Sequence, residues 1–185
     1  IPKKQIVEFI EKCLGSKLNE DFTEFYEKIK TYMAEKKYEE TKEILLEFIS
    51  DNSKEVPAIN FYLECLIELK QFDEVEIFIN SLEKEVKDQK EIKQLIKKLE
   101  IIKNNLVGPD INELIKKLEK KPNDINLIID IAGKHFSNQD YENCMEVLLN
   151  NYPKNKDKIK EKMVEYFTAL GNSNEFTILY RKKLS

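Results

Sequence analysis

Apolar residues recur at helical spacing along most of this chain, broken by short polar interruptions. The clearest stretch is PNDINLIIDIAGKHFSNQDYENCMEVLL, from Pro122 to Leu149. Ile125, Ile128, Ile129, Ala132 and Phe136 share one helical face, Ser137 to Asp140 interrupt it, and Tyr141, Cys144, Val147 and Leu148 resume it. That pattern predicts a helix, a tight turn and an antiparallel second helix. Nearer the start, Phe22, Phe25, Tyr26, Ile29, Tyr32 and Met33 predict a long helix, Glu35 to Lys37 a turn, and Tyr38, Thr41, Leu45 and Phe48 its returning partner. A second hairpin follows, with Ile59, Tyr62, Leu63 and Leu66 on one helix and Phe72, Val75, Ile79 and Leu82 on the next. Pro57 suits the first turn of that hairpin. Ile92, Leu95, Ile96, Leu99 and Ile102 line a longer helix, which Gly108 and Pro109 end and restart. Ile111, Leu114, Ile115 and Leu118 continue to the break at Pro122. Ile159, Met163, Tyr166, Phe167 and Leu170, a break at Gly171, then Phe176, Leu179, Tyr180 and Leu184 form the last pair.

The breaks are periodic. Tyr38 and Phe72, each opening a second helix, lie 34 residues apart, and Tyr141 plays the same part. Thirty-four residues is the tetratricopeptide period. The expected fold is therefore all-α: a degenerate tetratricopeptide-repeat array of antiparallel helix hairpins, about 9–11 helices, wound into a right-handed superhelix. Its hairpins are expected over about 21–50, 55–84, 87–121, 124–151 and 156–185, within one helical domain over 19–185. The central segment has the repeat length without signature residues, and Asn104 to Asp110 is the softest expected joint. At the close helix contacts, where the usual repeat has small residues, stand Ile29 and Thr41, Leu63 and Val75, and Ala132 and Cys144. The first two repeats are accordingly worn.

Composition agrees. Of 185 residues 41% are hydrophobic and 36% charged, with four Gly and five Pro, the balance of amphipathic helices rather than a turn-rich β protein. A net charge of −4 removes the overall attraction to phosphate that nucleic-acid binders show. Arg181 is the sole arginine, so the basic residues are almost all Lys, which reads as codon bias. Cys13, Cys65 and Cys144 are odd in number and far apart, which points to reduced thiols in a cytoplasmic or organelle-matrix setting. No apolar run is long enough for a membrane span, and no signal peptide opens the sequence. It begins at Ile1 rather than Met, so it is expected to be a piece of a longer chain.

Pro122, Asp124, Ala132, Tyr141, Ala169 to Gly171 and Tyr180 to Leu184 together resemble the C-terminal region of bacterial thioredoxin-like chaperedoxins, with Cys144 where alanine is usual. That family joins a thioredoxin fold to degenerate tetratricopeptide repeats. On this resemblance IPKKQIVEFIEKCL, with Ile6, Phe9, Ile10 and Cys13 on one side, looks like the last thioredoxin helix, so residues 1–18 would close a domain lying upstream. The resemblance implies a co-chaperone: a protein that holds unfolded clients and passes them to a chaperonin or an Hsp70-type chaperone. Any redox chemistry would belong to the upstream domain.

Within the sequence no catalytic, cofactor or metal constellation is visible, and no cofactor is expected. His135 is the only histidine, placed to fill a repeat core or its edge; the cysteines have no ligand spacing. The isolated glycines form no phosphate-cradling loop. Cys13 is the more reactive thiol candidate, Cys65 and Cys144 behaving as small hydrophobes. Lys97, Lys98, Lys116, Lys117, Lys120 and Lys121 make either a solvated face or a surface for an acidic peptide or chaperone. Repeats that clamp acidic chaperone tails place Lys, Asn and Arg along their first helices; Tyr26, Lys30, Phe61, Asn126 and Asp130 stand here instead. The candidate protein-binding surface is thus aromatic: Tyr26, Tyr32, Phe61, Tyr62, Tyr180 and Arg181. Proteins are the expected partners, with neither nucleic acid nor membrane. Two alternatives are a substrate-positioning region of a thioredoxin-type oxidoreductase and a dimerisation scaffold.

Overall fold

The structure, a computed structural model, describes residues 22–184. Among the described residues there are eleven α-helices, one 3-10 turn and no strand, and the chain is an all-α helical repeat array. It divides into two compact units, the first ending at Lys93 and the second starting at Gln94. The division falls inside a helix, and Asn104 to Asp110 lies within the second unit. The expected helix over 1–18, with Cys13, lies outside the described residues.

In the first unit α1 (Thr23–Ala34) pairs with α2 (Tyr38–Asp51), and α3 (Val56–Glu68) with α4 (Phe72–Ser81), followed by the short α5 (Lys84–Lys87). Helix α1 buries Phe25, Ile29 and Tyr32, a stripe at four- and three-residue steps. Helix α3 buries Ala58, Ile59, Tyr62, Leu63, Cys65, Leu66 and Ile67, far more than one stripe, because α1, α2 and α4 all pack against it. Phe25 stacks on Phe48 of α2 with ring centroids 4.2 Å apart. Helix α4, by contrast, buries only Val75.

The hairpin turns share one construction. After α1, Lys36 takes a left-handed φ of +58°, its N–H donates to Met33 O, and the N–H of Lys37 donates to Tyr32 O. Lys70 (φ +59°) does the same after α3, with bonds from Lys70 N to Ile67 O and from Gln71 N to Leu66 O. The paired return bonds satisfy carbonyls that the helix end leaves open. The residue that makes the longer bond, Lys37 or Gln71, is also the N-cap of the next helix. One residue closes one helix and opens the other, which is why the connection is so short and why Tyr38 and Phe72 begin their helices in the same register.

In the second unit, α6 (Lys90–Leu106, entering from the first unit) is followed by α7 (Ile111–Lys120), α8 (Ile125–Ser137), α9 (Tyr141–Asn150), a 3-10 turn over Tyr152–Lys154, α10 (Lys156–Leu170) and α11 (Glu175–Leu184). Gln139 (φ +61°) repeats the turn between α8 and α9, its N–H bonding Phe136 O while Asp140 N–H bonds His135 O. Asp140 then caps α9 with its own side chain, which the equivalent Lys37 and Gln71 do not do for theirs. Asp110 and Asp124 cap α7 and α8 in the same way. Ala132 and Cys144, at the expected close contact, are both fully buried.

Helix α6 seats on α8 through small residues. A Cβ on Gly133 would come 2.1 Å from Asn105 Oδ1. Ser137 Oγ donates to Gly133 O at 2.9 Å and lies 3.3 Å from Ile102 O. Phe136 stacks on Tyr166 of α10 with centroids 4.6 Å apart. Gly171, with φ +88° and ψ 161°, ends α10 in a conformation that essentially only glycine adopts.

Candidate protein-interaction surface

The six residues of the candidate surface divide by burial. Tyr32 and Tyr62 are inside the first unit: the ammonium groups of Lys28 and Lys37 lie 5.6 and 5.2 Å from the Tyr32 ring, and Tyr62 packs on Phe78 at 4.6 Å. Burial raises the Tyr62 hydroxyl pKa, helped by the charge of Glu74. Tyr180 is 1% exposed and donates to Glu146 Oε1 at 2.6 Å, an oxygen that also accepts from Lys183 Nζ at 2.7 Å. Its pKa is raised by burial and by that carboxylate. The Lys183 and Tyr180 bonds in turn hold Glu146 below the usual carboxylate range. These three tyrosines join helices to one another and offer little to a partner. The residue pattern could not show this, since a tyrosine on an apolar stripe looks the same whether its stripe is covered or open.

Tyr26 and Phe61 differ. Both are half-buried, on the adjacent helices α1 and α3, with ring centroids 6.3 Å apart. Tyr26 OH donates to Glu55 Oε2 at 3.2 Å; burial and the Glu55 charge raise its pKa, so it remains a neutral donor. Lys30 and Asn60 flank the pair, Lys30 bonded to Glu27 and Asn60 to Glu64. The face is a small aromatic patch with a polar rim. In the second unit Arg181 is exposed, its guanidinium 5.5 Å from the Phe167 ring.

The other candidate groups are accounted for by packing. Cys65 is buried 3.3 Å from Met33 Sδ, and burial pushes its thiol up to about 12; Cys144, also buried, is raised further still. Neither is a thiolate near neutrality. His135 Nδ1 lies 2.8 Å from Asp140 Oδ2, so the histidine braces the turn between α8 and α9. Burial pushes the Asp140 carboxyl up, but hydrogen bonds from Asn143 and His135 outweigh it and hold the group below its ordinary range. Among the described residues no group of three or more His, Cys, Asp or Glu is placed to hold a metal ion. No helix among them is long and apolar enough to cross a membrane.

The lysine cluster is rearranged relative to expectation. Lys97 is 3.6 Å from Glu165 and 3.9 Å from Glu100, and Lys98 sits over the Tyr141 ring. Both belong to the packing of the second unit. Lys116, Lys117, Lys120 and Lys121 remain exposed. Lys154 joins them through a 2.6 Å hydrogen bond from its Nζ to Pro122 O.

Residues 104–185 match the tetratricopeptide repeat family, from the last residues of α6 through α11. Such repeats generally mediate protein–protein interaction. A crystallised domain of a Vibrio parahaemolyticus protein of unknown function is 21% identical, over 86% of this chain and 95% of that one, with a TM-score of 0.39. That likeness is too loose to extend the comparison. No curated protein matches the chain.

Proposed function

We propose that this chain is a non-catalytic protein-binding module, the repeat region of a thioredoxin-like co-chaperone that holds unfolded clients in the cytoplasm for a chaperonin or an Hsp70-type chaperone. The tetratricopeptide match over 104–185 supports a binding role, and the chaperedoxin-like residues from Pro122 to Leu184 support the parent. The observation that carries the holding function is the Tyr26–Phe61 pair. Two aromatic rings on neighbouring first helices stay half open to solvent, beside a helix whose other apolar side chains are almost all covered. An apolar client segment laid across them would remove that area from water at a gain of about 25 cal/mol per Å², while Tyr26 OH and Lys30 hold the polar edge.

The test is light scattering from a heat-unfolding client, with co-sedimentation against chaperonin and Hsp70-type chaperone. Wild-type chain at stoichiometric amounts is expected to suppress aggregation. Phe61→Ala is expected to weaken suppression by roughly fivefold with an unchanged helical CD spectrum, the loss of about 1 kcal/mol of contact. A wild-type chain that neither suppresses aggregation nor associates with either chaperone overturns the reading.

A further inference from the structure

The second unit carries a concentration of positive charge with no ion-pair partner among the described residues. Lys116, Lys117, Lys120 and Lys121 lie on α7 and just beyond it; Lys154, Lys156, Lys158 and Lys160 lie in the 3-10 turn and the start of α10. All eight are exposed. The bond from Lys154 Nζ to Pro122 O brings the two segments to the same end of the unit, where α7 turns into α8 and α9 leads into α10. The carboxylates among and beside these lysines are Glu113, Glu119, Asp124, Asp157 and Glu161, and Asp124 is engaged with the backbone N–H groups of Asn126 and Leu127. Among the described residues none of the eight lysines comes within ion-pair distance of a carboxylate. Lys42, Lys54, Lys93, Lys97, Lys162 and Lys183 elsewhere in the chain all do.

The placement of some of them also runs against helix stability. Cations help at a helix C-terminus and oppose the dipole at an N-terminus, by about 0.3–1 kcal/mol each. Lys117 and Lys120 in the last turn of α7 obey that rule. Lys156 and Lys158 are in the first turn of α10, behind the neutral cap Asn155. With Lys154 and Lys160 alongside, they repel one another as well. Asp157 is the one carboxylate in that turn, set between two of the lysines.

We propose that this end of the second unit is a docking surface for an acidic, Asp- and Glu-rich protein segment. Lysine ammonium groups are mobile point charges that suit a flexible carboxylate-bearing chain, and Ile115, 41% exposed beside Lys116, offers an apolar foothold. A phosphate backbone fits less well. Arg181, the only arginine, is outside the cluster, Tyr152 is half-buried rather than open for base stacking, and five carboxylates lie among or beside the lysines. The surface lies at the loop end of the second unit's hairpins, while the α1–α3 face belongs to the first unit, and the proposal holds whether or not that face binds clients.

The full chain and a fluorescent peptide of alternating Glu, Asp and Leu decide it by anisotropy, at about 50 and about 300 mM salt. The expected result is saturable binding at low salt that weakens roughly tenfold or more at high salt. Lys120→Gln, Lys121→Gln, Lys156→Gln and Lys158→Gln combined should lose roughly tenfold in affinity, as should Lys116→Gln, Lys117→Gln and Lys160→Gln combined. A charge-matched control, Lys36→Gln, Lys70→Gln, Lys84→Gln and Lys90→Gln, should change less than about twofold. Lys156→Gln and Lys158→Gln without the other two should also raise Tm, because they remove positive charge from a helix N-terminus. Absence of peptide binding at low salt overturns the proposal, as does an equal loss in the control set. Tighter binding of single-stranded DNA of equal charge would assign the surface to nucleic acid instead.

Discussion

At the scale of single residues, the hairpin turns rest on a conformation that their side chains resist. Lys36, Lys70 and Gln139 all adopt φ near +60°, where an L-residue is disfavoured by about 1–2 kcal/mol and glycine is not. Lys36 and Lys70 are both exposed, and Lys70 serves as the test. Lys70→Gly should stabilise the chain by about 0.5–1 kcal/mol, the relief of strain less the extra freedom glycine gains when unfolded. Urea unfolding followed by CD reads this as a higher midpoint at unchanged slope; a lower midpoint would mean the turn is not left-handed there. The sequence placed these turns but gave no sign of their handedness, because a Lys or Gln at such a position carries none of the signal that glycine would. The fate of the tyrosines was hidden for a related reason. Tyr26 and Tyr32 occupy the same helix and differ only in which neighbours cover them.

At the scale of elements, the contact between α6 and α8 depends on the missing side chain at Gly133. Asn105 fills that space, its Nδ2 bonded to Ile101 O at 2.8 Å. Gly133→Ala forces Asn105 to move, while alanine itself favours a helix over glycine by about 1 kcal/mol. The two effects separate in a double-mutant cycle with Asn105→Ala. Gly133→Ala should be neutral or destabilising with Asn105 present and stabilising by about 0.5–1 kcal/mol in its absence, a coupling of at least about 0.5 kcal/mol by thermal unfolding. Additive effects would show that the helices are further apart than described. Gly133 is the third residue of the stretch IAGKHF and reads in the sequence as a minor flaw in a helix; only its neighbour explains it.

At the scale of the whole molecule, the fold unit and the family match have different limits. The match begins at 104, yet α6 contributes Asn105, Ile102 and Ile101 to the seat of α8 and begins well before. A fragment 90–185 that keeps α6 whole should show native-like helical CD and one cooperative thermal transition. A fragment 108–185, which uncovers Gly133 and Ser137, should melt broadly or with a midpoint lower by roughly 10–15 °C, about 2 kcal/mol of lost burial in a small unit. Equal stability of the two would show that α6 is a lid rather than part of the core. The sequence by itself determined the all-α class and most of the helices, because amphipathic spacing and turn residues are local properties written within one or two turns of chain. What only the tertiary structure decided was which stripes are covered. Burial of Tyr32, Tyr62 and Tyr180, the half-buried state of the Tyr26–Phe61 pair, and the meeting of Lys116 to Lys121 with Lys154 to Lys160 all join residues distant in the chain. No periodicity within a single helix records what another helix will bring to it.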